Sequence, residues 1–282
     1  MGRVGAAVVT FRRPAGLRRT IDALLAQDSV LDDVIVVDNG GDARIDDARV
    51  MTIDAGGNTG AAGGFALALD EAARRGIDWL YLLNDDDCPR LGAVSALLRR
   101  ANSDFDPSSV AAVGAWITAD GKLRAAGAAW HRGVRPVTLR EVDKLELEVD
   151  VATFCGLLVN VERAVRAGGV RADLFMMWEE FDLCLRMRRH GGRIVMLTEP
   201  LVDIDPNESA RYPPWRGYYG ARNGLLVIRS LGEWRALPWF LTREAKAMIA
   251  AARLPEGRVR VTMRLRGLIH GVLGRVGRTV TP

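Results

Sequence analysis

Cysteine is scarce in this 282-residue chain, and so is histidine, with three of each. Cys88, Cys155 and Cys184 lie far apart and form no Cys-x-x-Cys pair. That usage speaks against a disulfide framework and reads as a reducing, cytoplasmic setting. No run approaches the roughly 18 apolar residues that a membrane-spanning helix needs. No leader is read at the start, where Met1-Gly2-Arg3 passes straight into a strand-like stretch. Internal repeats and low-complexity linkers are missing, and so is an excess of one charge: 39 Lys/Arg stand against 35 Asp/Glu. The balance is uneven along the chain, however. Residues 235–282 hold ten basic and two acidic side chains, leaving 29 and 33 for the rest. So basic a tail implies an anionic partner. No recognised nucleic-acid module appears, which turns the expectation to a membrane surface.

The chain is 49% hydrophobic, enough for one large domain, or one domain with an appendage. Val4 to Thr10 and Val34 to Val37 read as buried strands, and Val50 to Ile53 as a weaker one. Pro14 can open a helix whose Leu17, Ile21, Leu24 and Leu25 share a face. A glycine-rich stretch, Gly56 to Gly64, precedes a helix expected over 65–75. Leu80 to Leu83 then runs into Asn84-Asp85-Asp86-Asp87, and a helix is expected over 91–100. This alternation predicts an α/β fold with a mixed, mostly parallel sheet flanked by helices. Ligands bind such sheets beyond the carboxyl ends of the strands. Thr10-Phe11-Arg12, Asp38-Asn39, Gly57-Asn58 and Asn84 to Asp87 all fall there. The glycines are not a G-x-G-x-x-G and follow the third strand, so a dinucleotide site is a weak reading.

Three adjacent carboxylates repel one another, and a cation offsets that cost. Their oxygens suit Mg²⁺ or Mn²⁺ held jointly with substrate phosphates. The plainer reading is a solvated acidic turn. Further on, Val151 to Val159 reads as one buried strand, and Arg193–Leu197 and Leu201–Ile204 as two more. Glu179, Glu180 and Asp182 crowd a helix start behind Trp178. Acids there complement the helix dipole, and a carboxylate facing a cleft can also act as a general base. Helices are expected over 215–230, 233–252 and 258–276. The last has Val261, Leu265, Leu268, Ile269 and Val272 on one face. A basic amphipathic helix suits a membrane interface, and core packing with a basic outer face is the alternative.

Six stretches in order carry a resemblance: VVTFR from Val8, VVDN from Val36, GNTGAAGGF from Gly57, LLNDDD from Leu82, WEEFDLCLR from Trp178 and YYGARN from Tyr218. Together they resemble a family 2 glycosyltransferase of GT-A fold, similar to the bacterial galactofuranosyl- and rhamnosyltransferase-like members that build cell-surface glycans. The resemblance implies a GT-A domain over 1–231 and a basic helical extension over 232–282. It implies a nucleoside-diphosphate-sugar donor of UDP-galactofuranose or dTDP-rhamnose type and a glycan or polyprenyl-linked acceptor at the inner membrane face. Thr10, Phe11, Arg12, Asp38, Asn58, Gly60 and Asp85 would hold the nucleotide. Asp86 and Asp87 would meet the metal, although the register of the triplet is open between Asn84-Asp85-Asp86 and Asp85-Asp86-Asp87. Glu180 would be the base, raised in pKa by its acidic neighbours, with Glu179 on acceptor or sugar hydroxyls. Trp178, Asp182, Phe154, Arg222 and Asn223 would contact substrate. The family's metal-binding His is missing: either Asp203 or Asp205 substitutes, or the metal has fewer protein ligands. Two other readings share these features: a nucleotidyltransferase making sugar nucleotides, and a non-catalytic membrane-surface scaffold with a relic donor site.

Overall fold

The computed structural model describes residues 2–29, 31–101, 108–118, 120–137, 139, 145–204 and 213–281. In chain order the strands are β1 (Val4–Thr10), β2 (Asp33–Asp38), β3 (Val50–Asp54), β4 (Trp79–Asn84), β5 (Asp87–Pro89), β6 (Ser109–Thr118), β7 (Leu123–Arg124), β8 (Gly127–Trp130), β9 (Val134–Pro136), β10 (Glu146–Val149), β11 (Val151–Ala152), β12 (Leu157–Asn160) and β13 (Arg193–Ile204). The helices are α1 (Pro14–Leu25), α2 (Gly60–Arg74), α3 (Ala93–Ala101), α4 (Val161–Arg166), α5 (Glu179–Arg189), α6 (Pro214–Ser230), α7 (Leu237–Ala252) and α8 (Gly257–Val272).

The main sheet runs β10-β13-β6-β12-β4-β1-β2-β3. β1, β2, β3, β4, β6 and β13 point one way, while β12 and β10 point the other. β1 shows why the sheet is covered on both faces. All seven of its residues are buried, and with a period of two they feed opposite cores. Ala6 and Val8 meet Leu17 and Ile21 of α1 and Leu97 of α3. Ala7 and Val9 join the core of Phe65 and Leu69 from α2 and Leu183 from α5. From β1 the chain winds outward through β2 to β3, and α2 then carries it back to β4 on the other side of β1. The strand order therefore reverses between β1 and β4, which is where such sheets open a crevice.

Three boundaries differ from the sequence reading. α2 begins at Gly60, five residues early. Val151 to Val159 is split: β11 pairs with β8 in a small second sheet, and β12 enters the main sheet. The break falls at Gly156, whose φ is +81° and whose Cβ, if it had one, would sit 2.5 Å from the Val202 side chain. The two late strands are one, β13, with register shifts around Pro200 that let its end pair with β5.

Candidate active site

A cavity of about 1230 Å³ opens at the carboxyl ends of β1 and β4. Its floor and walls come from Thr10 to Gly16, Asn58, Gly60, Asn84 to Asp87, Trp116, Cys155 and the first turn of α6. Among the described residues four arginines line it, Arg12, Arg13, Arg19 and Arg216, of which the sequence reading singled out only Arg12. Such a lining suits an anionic ligand.

The acidic triplet divides into three roles. Asp85 ties β4 to β1: it accepts hydrogen bonds from Thr10 Oγ1 (2.9 Å), Phe11 N (3.3 Å) and Arg13 Nη1 (2.7 Å). Burial raises its pKa, although Arg13 opposes the shift. Asp86 is partly exposed, with Arg13 Nη1 at 3.2 Å. Asp87 is fully buried and accepts from Asn84 N (2.7 Å) and Asn84 Nδ2 (3.0 Å) through Oδ2. Its Oδ1 is buried without a partner. Burial, then the neighbouring Asp86 charge, pushes Asp87 up to about 7. A buried carboxylate oxygen lacking a donor beside a second, half-open carboxylate fits a hard divalent cation. Among the described residues no cluster of three or more acidic, His or Cys ligands converges. A cation here would thus complete its shell with phosphate oxygens and water, the habit of Mg²⁺ in phosphate sites. Asp203 does not join it. Its carboxylate is gripped by Arg90 at 2.8–3.2 Å and lies away from the cavity lining. Asp205 lies outside the described residues.

The second acidic cluster follows a tightly wound turn. After a single 3-10 turn, Ala172–Leu174, Phe175, Met177 and Trp178 all take positive φ (66°, 69°, 77°). Non-glycine residues hold such values at roughly 1–3 kcal/mol each, and only where their surroundings enforce them. Here α6 enforces them. Asn223 Nδ2 donates to the carbonyls of Leu174 (2.9 Å), Met176 (2.7 Å) and Met177 (2.9 Å), and Arg222 Nη2 donates to Leu174 O at 2.8 Å. Trp178 Nε1 donates to Gly220 O. From the other side Phe175 O accepts from Ala62 N at 3.0 Å. Gly60 allows this approach: its φ is +75°, and a Cβ there would lie 2.0 Å from Phe175 O.

The turn delivers Glu179 and Glu180 to the start of α5. Glu179 is buried with Oε2 unpartnered. Burial and then the charge on Glu180 raise it well above the usual carboxylate range. Burial also raises Glu180, while its own backbone N–H and a hydrogen bond from Glu179 oppose the rise. Both carboxyls are thus held above the usual carboxylate range, Glu179 the more strongly. Cys155 joins the two acidic clusters. It lines the cavity, and its buried thiol is raised by burial and then by the charges of Asp87, Asp86 and Glu180.

Several residues expected at substrate are engaged elsewhere. Asp38 accepts from the backbone N–H groups of Gly40, Gly41 and Ala43 and builds that turn. Phe154 packs edge-on against Phe65. Asp182 is buried in ion pairs with Arg186 (2.6 Å) and Arg171 (3.6 Å). Arg222 and Asn223 are wholly buried and hold the turn rather than facing the cavity. Trp178 is 5% exposed, packed among Trp130, Phe181 and Phe240. Asn39, expected at a strand end but given no role of its own, accepts from Thr59 N and Oγ1 and donates to Gly60 O, joining β2 to the start of α2.

Comparison with known proteins matches this architecture. The chain is 32% identical over 205 residues to galactofuranosyltransferase GlfT1 of Mycobacterium tuberculosis, and the match covers 67% of this chain and 65% of the relative. It is 31% identical over 204 residues to GlfT1 of Mycolicibacterium smegmatis, covering 67% and 66%. The chain thus matches just under two thirds of the length of these relatives. Among solved structures, GalNAc-T7 with UDP, GalNAc and Mn²⁺ superposes with a TM-score of 0.63 at 14% identity, over 81% of this chain and 48% of that one. The mannosyltransferase PcManGT of Pyrobaculum calidifontis, in complex with GDP-Man and Mn²⁺, gives 0.58 at 17% identity, over 97% and 87%. The fold is therefore that of the GT-A glycosyltransferases. The family model for glycosyl transferase family 2 matches residues 6–164, and with the crevice at β1 and β4 this places the chain in that family.

Proposed function

We propose that the chain is an inverting glycosyltransferase, moving a sugar from a nucleoside-diphosphate donor to the hydroxyl of a glycan. One observation carries the reading: Cys155, in the wall of a single arginine-lined cavity that Asp86 and Asp87 also line, is near enough to feel the charge of Glu180 as well as theirs. Arg13 stands beside the acidic triplet, and the other lining arginines face the same anionic donor. Asp86 and Asp87 hold the divalent cation, Mg²⁺ or Mn²⁺. When bound, that cation supplies charge neutralisation for the leaving diphosphate. Glu180 takes the proton from the acceptor hydroxyl. The freed oxygen attacks the anomeric carbon from the face opposite the diphosphate, and the C–O bond electrons leave with the diphosphate.

The relatives named galactofuranosyltransferase favour UDP-galactofuranose over dTDP-rhamnose as donor. A polyprenyl-linked cell-wall glycan at the inner membrane face is the matching acceptor. The test is product analysis with each donor and Mn²⁺ or Mg²⁺. Release of nucleoside diphosphate with sugar transferred supports the reading, and pyrophosphate release would replace it with nucleotidyl transfer. Glu180→Gln should lower turnover by about 10²–10⁴ with donor binding retained. Turnover within a few-fold of wild type would remove Glu180 from the role of base.

A further inference from the structure

The last two helices turn large apolar side chains towards solvent. α8 packs on α6 through its smallest residues: a Cβ on Gly267 would lie 2.4 Å from Tyr218 O, and one on Gly271 2.8 Å from Arg222 O. His270 is buried between them. On the opposite side of the helix Leu265, Ile269, Val272 and Leu273 are 46, 59, 68 and 62% exposed. Their spacing keeps them on one stripe. α7 is built the same way, with Phe240, Glu244 and Ala251 buried while Leu241 and Ile249 stand outward. Leu254, in the connection between the helices, and Val259, in the first turn of α8, are exposed as well. Soluble monomers rarely leave so much apolar surface in one region.

The charge around this surface has one sign. Lys246, Arg253, Arg258, Arg266 and Arg275 are exposed. Of the two acids beyond residue 234, Glu244 is buried between Arg243 (2.9 Å) and Arg264 (2.6 Å), which leaves Glu256 alone outside. A second copy docked face to face would bring these cations together, whereas an anionic bilayer neutralises them. Neither helix is long and apolar enough to cross a membrane. We infer that α7 and α8 dock the protein on an anionic bilayer surface, the Leu265–Ile269–Val272 stripe entering the acyl boundary and the flanking cations reaching lipid phosphates.

The inference extends the membrane-face location proposed above. It is tested with the full chain and without donor or metal, so its failure would leave the transferase reading untouched. Sedimentation with vesicles of phosphatidylcholine, alone or with about a third phosphatidylglycerol, is the assay. Binding at least about tenfold stronger to the anionic vesicles, weakened by salt, is expected. Combined Leu265→Gln, Ile269→Gln and Val272→Gln should lower it at least about tenfold. Arg258→Gln with Arg266→Gln should narrow the preference for anionic lipid. These side chains are exposed, so transfer to a water-soluble acceptor should be unchanged. Equal binding to both vesicles, or a triple variant that binds like wild type, would overturn the inference. A wild-type dimer that the triple variant dissolves, with no vesicle binding, would give the face to a second copy.

Discussion

Asn223→Ala should damage catalysis without touching the donor. The Asn223 amide group serves the carbonyls of Leu174, Met176 and Met177 in a turn with positive φ at Phe175, Met177 and Trp178. Leu174 O keeps Arg222 as a donor. The other two carbonyls lose their Asn223 donor inside the protein, at roughly 1–3 kcal/mol each. The turn can relieve part of that by relaxing its strained φ values, so a net loss of about 3 kcal/mol is expected. Relaxation displaces Trp178, and Glu179 and Glu180 behind it. Urea unfolding reads the stability, and nucleoside diphosphate release at saturating donor reads the turnover. Turnover should fall by about 10² or more, as a small displacement of a catalytic group can cause, while the donor KM stays within about twofold. A stability loss under about 1 kcal/mol, or a fall in turnover matched by loss of donor affinity, would refute the argument that Asn223 acts through the turn.

Other predictions follow from single contacts. Gly60→Ala places a Cβ 2.0 Å from Phe175 O at φ +75°; it should cost about 2–5 kcal/mol, and a melting temperature near wild type would contradict the close approach. Asp87→Asn keeps an oxygen for the Asn84 bonds and removes the charge from the unpartnered side. It should raise the melting temperature of the metal-free protein and abolish the further rise given by Mn²⁺ with a nucleoside diphosphate; an unaltered ligand-induced rise would remove Asp87 as a metal ligand. His270 has its pKa lowered, by burial first and then by Arg275, Arg266 and Arg222. Its neutral ring bonds to Tyr218 Oη at 2.7 Å. The folded state therefore binds the proton less readily than the unfolded chain. This contribution is intact above the ordinary value of 6.5 and is lost as pH falls through it towards the lowered folded value. The melting temperature should fall between pH 7 and 5 more steeply in wild type than in His270→Gln, and equal slopes would discount His270.

Much of the sheet was legible because β1, β2 and β4 are short apolar runs, each ending in polar residues. The split at Gly156 was not, since Val151 to Val159 is apolar but for Thr153, and the competing partners, β8 and β4, divide it. The cavity was legible as a row of polar strand ends. What each end does was less so. Asp38 at the end of β2 reads alike whether it meets a ligand or, as here, three N–H groups of its own turn. Asp203 and Asn223 have partners 113 and 46–49 residues away, beyond the reach of any local pattern. α8 was legible on one side only. Its apolar stripe is real, but glycines at 267 and 271 let the opposite side approach α6 more closely.

The contact from Ala62 N to Phe175 O joins the glycine-rich start of α2, on the proposed donor side, to the segment that carries the proposed base. The two halves of the cleft consequently share a hinge pin. Under the mechanism proposed above, the helix beside the donor thereby braces the turn that stands behind the acidic pair.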